Sequence, residues 1–365
     1  MPSNRLRALF LTTYPATAAA TRFRLQQFFP YLEDAGIECT LSSFLSDHEF
    51  AELYLPRDRG GKVVRLLANG ALRLLGSLRA RAFDVVVVQR SAMLYGPPLM
   101  EWLIAHVVRV PIVYDFDDAI WLQDASPVWG PLAGWAKFAG KTDRLVRMAS
   151  QVIVCNGYTR DYALRSKDPE SITIIPTVVD PLVFRPAPHD PTVPPVVGWI
   201  GTHSTAKYLS SLTRPLAAAA RRAPFRMKVV GAGSIFDVDG VQVENKPWRL
   251  EEEVADYQSL DIGLYPVTDD AWGHGKTGFK PVVYMSSGAA CISSPVGGVA
   301  EFVRDGENGL FATDPAQWEE RIVALVGDRV LRERIAAAGR RTVIEGYSLQ
   351  VQAPRLTEVL RRAAA

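Results

Sequence analysis

The sequence predicts an α/β protein built from two doubly wound halves, each with a parallel sheet covered by helices. Short β-rich runs alternate with helical stretches along all 365 residues, a pattern typical of parallel sheets with helices on both faces. The strand candidates are near-continuous apolar runs, as strands buried on both faces require. A proline-rich break separates two copies of this alternation, so two domains are expected.

The first half contains six strand candidates. They are RALFLT, IECTLSSF, DVVVVQ, VPIVYDF, QVIVCN and ITIIPT. The helical segments between them are RFRLQQFFPYLEDAG, GKVVRLLANGALRLLGSLRARA, PPLMEWLIAHVVR and GPLAGWAKFAGKTDRLVRMA. Because strands and helices alternate, we expect one parallel sheet in this half.

A proline-rich segment then interrupts the pattern. Six prolines lie from Pro181 to Pro195, and proline continues neither a strand nor a helix. We interpret this segment as an interdomain linker between an N-terminal domain over 1–185 and a second domain over 186–345. Residues 346–365 are predicted as a C-terminal helix that packs back toward the N-terminal domain.

The alternation restarts after the linker. The strand candidates are PVVGWIGT, FRMKVVGAG, VQVENKP, LDIGLYPV, AACISSPV and GLFAT. Helices are predicted at STAKYLSSLTRPLAAAARRA, RLEEEVADYQSL, FKPVVYMSSG, PAQWEERIVALVG, DRVLRERIAAAGRRTVIEGY and LQVQAPRLTEVLRRAAA. Ligands of open α/β sheets bind beyond the carboxyl ends of the strands, so each half is expected to carry one site.

Composition and charge exclude several classes of protein. The chain is 48% hydrophobic and 22% charged with a net charge of +2, the balance of a globular domain that has no reason to bind nucleic acid. Cys39, Cys155 and Cys291 form no CxxC pair, and the histidines do not cluster at ligand spacing, so no zinc site is expected. Isolated thiols are typical of a reducing cytosol.

The N-terminal run RLRALFLTTYPATAAA mimics a signal peptide. Its apolar part, LRALFL, is short for that purpose, so we interpret it as a buried first strand. No apolar run reaches the length of about eighteen residues that a transmembrane helix needs. We therefore expect a cytoplasmic protein.

The most informative segment runs from Gly275 to Phe311, GKTGFKPVVYMSSGAACISSPVGGVAEFVRDGENGLF. Lys276 and Lys280 flank a predicted helix start, where backbone N–H groups and the helix dipole favour an anion. Gly297 and Gly298 follow the strand AACISSPV and allow a backbone to come close to a ligand. A diphosphate is the anion that would use all of these features.

These segments, in this order, resemble the retaining GT-B glycosyltransferases of family 4, in a branch of bacterial surface-polysaccharide transferases. The resemblance covers nearly the whole chain and is strongest from Val197 to Ala312. Its pieces include RFRLQQFFPYLEDAGI, VVVVQRS, VYDFDDAIW, IIPTVVD, VGWIGTHSTAKYL, DIGLYPV and SPVGGVAEFVRDGENGLF. It implies a GT-B fold of two Rossmann-like domains whose sheets face an interdomain cleft.

The resemblance also implies an activity. A sugar would pass from a nucleotide-sugar donor to a glycan or polyprenyl-linked acceptor, with retention at the anomeric carbon and without a metal or cofactor. Lys207, Lys276 and Lys280, with the amides of Gly297 and Gly298, would stabilise the leaving diphosphate. Further donor-side candidates are Thr202, His203, Val299 and Glu301. For the glycines an ordinary tight turn, and for the lysines solvated surface positions, remain open alternatives.

Two motifs depart from the family pattern, at three positions in all. The glutamates of its E-x7-E signature are replaced by Gly275 and Val283, and a valine cannot hold the donor ribose as the second glutamate does. The first strand of the second half ends in Gly201-Thr202, where the family has Gly-Arg. A degenerate relative that binds nucleotide sugar without transferring it, or a nucleotide-sugar epimerase on the same fold, is therefore kept as an alternative.

Acidic residues follow the strand VPIVYD in the first half, as Asp115-Phe116-Asp117-Asp118. One interpretation is a DxD motif that binds a divalent metal, but that motif belongs to the single-domain GT-A class, which the two-half layout disfavours. We favour an acceptor-side catalytic role, in which Asp117 or Asp118 accepts a hydrogen bond from a sugar hydroxyl. Asp118 as the N-cap of a following helix is the structural alternative.

Polar residues after other strands of the first half are further acceptor-side candidates. They are Thr13, Arg22, Arg24 and Arg90, of which only Thr13 is uncharged. Arg22 and Arg24 are two residues apart and do not share a helix face, so one is expected to point toward the site. For Arg90, a structural ion pair is the alternative.

Residues 61–82 carry five basic side chains and no acid. A basic amphipathic helix is typical of a membrane-surface segment. Because polyprenyl-linked acceptors sit on the inner leaflet, we expect a weak peripheral contact with the inner face of the cytoplasmic membrane through this segment. The alternative is an ordinary domain helix with a solvated basic edge.

Overall fold

The computed structural model describes residues 5–53, 55, 58–122, 138, 140–190 and 193–365. The chain folds into two compact units, one formed by residues 1–177 with 352–365 and the other by residues 178–351. The part of the predicted helix GPLAGWAKFAGKTDRLVRMA that covers 130–137 lies outside the described residues.

The first unit carries a six-stranded parallel sheet. Its strands are β1 (Leu6–Thr12), β2 (Ile37–Ser43), β3 (Val85–Gln89), β4 (Ile112–Phe116), β5 (Gln151–Val154) and β6 (Ile172–Ile174). They lie in the order β2-β1-β3-β4-β5-β6, and every neighbouring pair is parallel. Every residue of β3, β4 and β5 is buried, which is why these strands are continuous apolar runs. The predicted parallel sheet is confirmed.

Helices cover this sheet. They are α1 (Ala19–Arg24), α2 (Phe29–Asp34), α3 (Asp47–Glu52), α4 (Arg59–Leu75), α5 (Leu99–Trp102), α6 (Lys141–Met148) and α7 (Gly157–Ala163). Short 3₁₀ turns at Gln26–Phe28, Gly76–Ala82 and Pro169–Ser171 and a π-helical turn at Leu103–Val108 extend or connect them. None of the described helices is long and apolar enough to cross a membrane.

The second unit repeats the plan. Its strands are β7 (Val196–Ile200), β8 (Arg226–Val230), β9 (Gln242–Lys246), β10 (Ile262–Tyr265), β11 (Ala290–Ser293) and β12 (Leu310–Phe311). They form a parallel sheet in the order β12-β11-β10-β7-β8-β9. The chain moves outward from β7 to β9 and then returns to β10, so the topological switch point lies between β7 and β10, where doubly wound sheets bind their ligands.

The helices of the second unit are shorter before β12 than after it. They are α8 (Ala206–Ser210), α9 (Thr213–Arg222), α10 (Glu253–Gln258), α11 (Ala271–His274), α12 (Phe279–Ser286), α13 (Val299–Phe302), α14 (Pro315–Gly327) and α15 (Arg329–Gly346). One 3₁₀ turn, Leu250–Glu252, precedes α10. The segment predicted as one helix from Ser204 to Ala223 is two, α8 and α9. The final helix, α16 (Leu349–Ala364), starts in this unit, and residues 352–365 group with the first.

The proline-rich segment is anchored to the second unit. Arg340 of α15 donates to the carbonyls of Pro181, Phe184 and Ser286. His189 contacts the Asp261 carboxylate at 2.9 Å, which, by its hydrogen bond and its charge, raises the pKa of the imidazole. These contacts give the segment fixed partners although its prolines exclude it from strands and helices.

Candidate functional site

The switch point of the second sheet brings α12 against the end of β7. Lys280, on the first turn of α12, places its Nζ 4.6 Å from the ring centroid of Trp199 and 3.4 Å from Thr205 Oγ1. Trp199 is 1% exposed, so its ring is a fixed apolar floor under the ammonium. A Cβ at Gly201 would lie 2.7 Å from Lys280 Nζ. The absence of a side chain at Gly201 therefore makes room for the lysine.

The charge on Lys280 is poorly compensated. Burial, with the nearby charge of Lys276, lowers the pKa of Lys280 to about 7. Across the described ranges, Lys280 forms no ion pair with a carboxylate, whereas Lys228 of the same unit lies 2.9 Å from Asp256 Oδ1. A partly buried ammonium that lacks a carboxylate is destabilised unless an external anion approaches it.

Two more lysines border the same edge of the sheet. Lys276 Nζ lies 4.5 Å from the ring centroid of Trp272, a distance typical of cation–π contacts. Lys207 Nζ lies 5.1 Å from the ring of Tyr208. The Thr268 hydroxyl is the main cause that lowers the pKa of Asp270, and the charge of Lys207 contributes least. The structure thus brings the three predicted lysines to one edge of one sheet.

The turn at Gly297 and Gly298 packs against the segment that carries Lys276. Gly297 has φ +68°, and a Cβ there would lie 2.6 Å from the carbonyl oxygen of Gly273. A Cβ at Gly298 would lie 2.5 Å from the carbonyl oxygen of Thr277, and the Gly298 amide donates to the Lys276 carbonyl at 2.8 Å. The close approach that these glycines permit is thus between two loops of this chain, and it positions Lys276.

The remaining donor-side candidates differ in exposure. Thr202 and His203 are exposed in the turn after β7, where the Thr202 amide donates to Thr205 Oγ1 at 3.2 Å. Glu301 is exposed on α13, whereas Val299 is fully buried beneath the same turn. Val283, at one of the two missing glutamate positions, is also fully buried. Its side chain therefore belongs to the core of the second unit.

In the first unit, Arg24 and Asp115 form a buried ion pair. Arg24 Nη2 donates to Asp115 Oδ1 at 2.6 Å and Arg24 Nε donates to the same carboxylate at 3.0 Å. The third guanidinium nitrogen donates to the Ile175 carbonyl. Arg24 is 3% and Asp115 1% exposed. Arg24, which the sequence analysis predicted as an acceptor-side residue, therefore joins α1, β4 and the residue just after β6 in this structure.

Arg90 holds the next two carboxylates. Its Nε and Nη2 donate to the two oxygens of Asp117 at 2.6 and 2.8 Å, and Nη2 also donates to Asp118 Oδ2 at 3.0 Å. Burial opposes ionisation of Asp117, but the charge and hydrogen bonds of Arg90 lower its pKa. Arg90 adopts φ +59°, a left-handed conformation rare for arginine. The structural ion pair considered for Arg90 is thus present, with Asp118 at its more exposed end.

Thr13 and Arg22 flank this cluster. The Thr13 hydroxyl donates to the Ser91 carbonyl at 2.7 Å, which ties the ends of β1 and β3 together at the switch point of the first sheet. Arg22 places its guanidinium carbon 4.4 Å from the Phe23 ring. Among the described residues, no three His, Cys, Asp or Glu side chains are arranged to hold a metal ion.

Sequence reasoning missed the neighbours that define Lys280. Trp199 and Thr205 lie within VGWIGTHST, which shows only an apolar strand and a polar turn. No spacing rule links them to a lysine some eighty positions later. The cation–π contact between Lys280 and Trp199 is recognised only when β7 and α12 are placed side by side.

Comparison with known proteins finds a family model that matches part of the second unit. Residues 194–328 match the family model described as glycosyl transferases group 1. Alpha-maltose-1-phosphate synthase of Mycolicibacterium smegmatis is 26% identical over 260 residues, which is 60% of this chain and 65% of that protein. The chain thus spans just under two thirds of that relative. D-inositol 3-phosphate glycosyltransferase of Nocardia farcinica is 25% identical and is covered over 58% of its length.

Solved structures share the fold over the whole chain. A glycosyltransferase from Rickettsia africae superposes with a TM-score of 0.69 at 14% identity, covering 99% of both chains. Anabaena HepE, solved with UDP and glucose, gives a TM-score of 0.67 at 14% identity, covering 98% of this chain and 99% of that one. The two parallel α/β units thus have the fold of GT-B glycosyltransferases, and residues 194–328 match the family model of group 1 glycosyl transferases.

Proposed function

We propose that this protein is a retaining, metal-independent glycosyltransferase. It moves a sugar from a nucleotide-sugar donor to a glycan or lipid-linked acceptor in cell-surface polysaccharide or glycolipid assembly. The observation that carries the proposal is Lys280, a partly buried ammonium at the switch point of the second sheet, with a lowered pKa and no carboxylate partner across the described ranges. A donor diphosphate supplies the missing negative charge.

Charge on the leaving group decides the rate of such a transfer. As the glycosidic bond breaks, negative charge grows on the diphosphate, and fixed cations in a site with little water stabilise it most effectively. Lys280 and Lys276 are held over the rings of Trp199 and Trp272 before any ligand arrives. Lys207, Thr202 and His203 border the same edge and contact the donor. The two lysines provide the positive charge, so no divalent cation is needed.

The first unit supplies the acceptor side in this proposal. Asp118 presents its carboxylate from the more exposed end of the Arg90 cluster and accepts a hydrogen bond from the acceptor hydroxyl. Asp117, bound by two nitrogens of Arg90, keeps that arginine oriented. The leaving phosphate takes the acceptor's proton, so Asp118 orients the nucleophile and is not required to be a strong base.

The names of similar proteins support the substrate class. HepE was solved with UDP and with UDP-glucose, and the curated relatives are a maltose-1-phosphate synthase and inositol-phosphate glycosyltransferases. These proteins share the GT-B fold or partial sequence similarity with the chain. We carry over the nucleotide-sugar donor from HepE and glycosyl transfer from the inositol-phosphate enzymes.

Isothermal titration of nucleoside diphosphates into the purified chain, with and without EDTA, tests the donor site. We expect one diphosphate to bind in EDTA, and Lys280→Met to weaken it about 10- to 100-fold, the loss of a charge-assisted hydrogen bond. Arg226→Met, at an exposed position at the start of β8, is the matched control and should bind normally. Unchanged affinity in Lys280→Met would remove this lysine from the site, and binding that needs a metal would refute the metal-independent mechanism.

A binding-only protein is the second candidate, favoured by the buried Val283 at a position where the family resemblance expects a ribose-binding glutamate. The two are separated by product analysis with the diphosphate identified above. If the matching nucleotide sugar binds but neither transfer nor slow hydrolysis releases free diphosphate, the binding-only function is supported. Release of diphosphate that depends on Lys280 and on an added acceptor supports the transferase.

A further inference from the structure

The helix α4 carries its apolar side chains on the outside of the first unit. Along α4 and the following 3₁₀ turn, Val64, Leu67, Leu75 and Leu78 are 67%, 59%, 76% and 54% exposed. These four residues, here called the outward face, lie three to eight positions apart and form one stripe at helical spacing. The 17 residues of α4 span about 25 Å at the rise of roughly 1.5 Å per residue. An ordinary domain helix would bury this stripe.

Polar anchors fix this orientation of the helix. Arg73, on the opposite side of α4, is 8% exposed. Its guanidinium donates to the carbonyls of Thr12, Ser42 and Ala92 at 2.8 to 3.1 Å. These carbonyls belong to the ends of β1 and β2 and to the loop after β3, so one side chain ties three segments to the helix. Rotating α4 to bury the leucines would break all three hydrogen bonds.

A close contact holds the middle of α4. The Tyr95 hydroxyl donates to the Leu66 carbonyl at 2.6 Å and lies against Gly70, where a Cβ would approach it to 2.1 Å. Leu66 and Leu74, which face inward, pack against the cluster around Phe44 and Met93. The inward side of α4 is thus already occupied, so its outward face is a stable surface of the folded unit.

Positive charge accompanies the outward face. From Arg59 to Phe83 the sequence contains six basic residues and no acid. Arg59 is exposed at the start of α4, and Arg79 and Arg81 are exposed beyond its end. Arg65 is partly neutralised by Asp58 at 3.3 Å and Glu52 at 3.6 Å. The free positive charge is therefore concentrated at the C-terminal end of the stripe.

The helical segment 99–108, next to α4, also exposes apolar side chains to solvent. Residues 99–108 and the 3₁₀ turn after α4 contribute Met100, Ile104 and Ala80 to one core cluster on one face of the sheet. On their solvent side, Leu99, Trp102 and Val107 are each 48% exposed. A half-exposed tryptophan beside exposed leucines is typical of segments at a membrane interface.

We propose that the outward face of α4 docks the protein on the surface of an anionic lipid bilayer. The leucines enter the boundary between headgroups and acyl chains, while Arg59, Arg79 and Arg81 contact lipid phosphates. An anionic bilayer is complementary to both the exposed apolar side chains and the exposed arginines. Its acyl chains can contact the whole stripe, and its charged headgroups can contact the arginines at the ends of the stripe. The proposal rests on the fold of the first unit and holds whether or not the second unit transfers sugar.

Vesicle flotation of the full chain tests the proposal. We expect it to float with vesicles of phosphatidylglycerol and phosphatidylcholine in equal parts, and much less with phosphatidylcholine alone. Leu67→Ser/Leu75→Ser should weaken binding more than about tenfold, because both side chains are buried in the bilayer. Arg79→Gln/Arg81→Gln should lose about fivefold per arginine and the preference for anionic vesicles. Ile235→Ser/Val330→Ser, at positions 85% and 77% exposed in the second unit, is the control and should bind normally.

The replaced residues are exposed, so the variants should keep the wild-type melting temperature, and circular dichroism verifies this. Flotation of Leu67→Ser/Leu75→Ser at the wild-type level would overturn the proposal, as would equal binding to neutral and anionic vesicles. Sedimentation velocity tests whether the outward face instead binds a second copy of the chain. If the wild type is a dimer that does not bind vesicles, and Leu67→Ser/Leu75→Ser is a monomer, the outward face is a dimer interface and membrane docking is refuted.

Discussion

At the scale of single residues, Lys280 makes a prediction about pH. Its folded-state pKa is about 7, and that of the unfolded chain is near the ordinary lysine value of about 10.4. Below pH 7 both states hold the proton, and the folded state carries the whole cost of an uncompensated ammonium. Between the two pKa values this cost shrinks, because the folded state loses the proton while the unfolded state keeps it. Above the unfolded-state pKa the cost is gone.

Lys280→Met should therefore be more stable than the wild type in the absence of ligand. The gain in melting temperature should be largest below pH 7 and should fade toward pH 10. Nucleoside diphosphate affinity of the wild type should likewise fall as pH rises above 7, since the protonated lysine binds the anion, and the variant's affinity should change less. Melting curves and titrations at pH 6, 8 and 10 check the predicted stability and affinity. A difference in melting temperature that stays constant across this range would contradict the lowered pKa of Lys280.

The Arg24–Asp115 pair gives a second prediction at this scale. Arg24→Met leaves the 1% exposed carboxylate of Asp115 without its partner, which should cost about 3–5 kcal/mol in the free energy of unfolding. Arg24→Met/Asp115→Leu should recover much of that loss because it leaves no buried charge without its partner. Arg160→Met, at an exposed position on α7, is the control and should change stability by less than about 1 kcal/mol. Urea denaturation measures all three variants, and a double variant no better than Arg24→Met would argue against a charge effect.

At the scale of secondary-structure elements, the sequence predicted the strands better than the helices. All twelve strands coincide with segments that were predicted as strands, and most of them are apolar runs, because burial on both faces of a parallel sheet leaves a local signature. The exposed strand β9, QVENK, is an exception. The helices α3, α7 and α11 were not predicted, being four to seven residues long with little periodicity. Their N-caps were readable: Ser46, Asn156 and Asp270 each accept a hydrogen bond from an amide three residues later, as capping residues do.

The sequence left the rotation of α4 open between a membrane-surface helix and an ordinary domain helix. Its periodicity shows one apolar and one basic side, and the usual rule buries the apolar side. Arg73 reverses this because its guanidinium bonds three carbonyls at or just beyond strand ends. Those carbonyls come from segments far apart in the chain, so only the assembled sheet shows that they converge on one guanidinium.

The turn at Gly297 gives a prediction at the element scale. In Gly297→Ala the new methyl would lie 2.6 Å from the Gly273 carbonyl oxygen, so the turn and the segment carrying Lys276 must separate. Nucleoside diphosphate affinity should then fall about tenfold, the loss of one charge-assisted contact. Gly240→Ala is the matched control, since Gly240 has φ +76° with no atom within 4 Å. It should cost stability through backbone strain of about 1 kcal/mol and leave affinity unchanged; equal losses in both variants would point to strain alone.

At the scale of the whole molecule, both units place a cluster of charged residues at the switch point of their sheet. Each sheet has a switch point, between β1 and β3 in the first unit and between β7 and β10 in the second. Charged clusters lie at both: Arg90 with its two aspartates, and Lys280 with Lys276. The sequence predicted these locations because polar residues follow apolar strands. It did not predict that Arg90 is paired with both aspartates while Lys280 forms no ion pair with a carboxylate across the described ranges, since pairing depends on residues from separate elements.

The C-terminal helix supplies the last prediction. Residues 352–365 group with the first unit, where Leu356, Val359 and Leu360 are at most 3% exposed. Deleting 352–365 removes all three, each contributing about 1.5–3 kcal/mol by burial, together with the hydrogen bond from Arg361 to the Ala35 carbonyl. Hydrogen exchange should therefore accelerate in β1 and β6, while diphosphate binding to the second unit persists. Deletion of 363–365 alone is the control and should change neither quantity, and lost protection confined to β7–β12 would show that the helix stabilises the second unit instead.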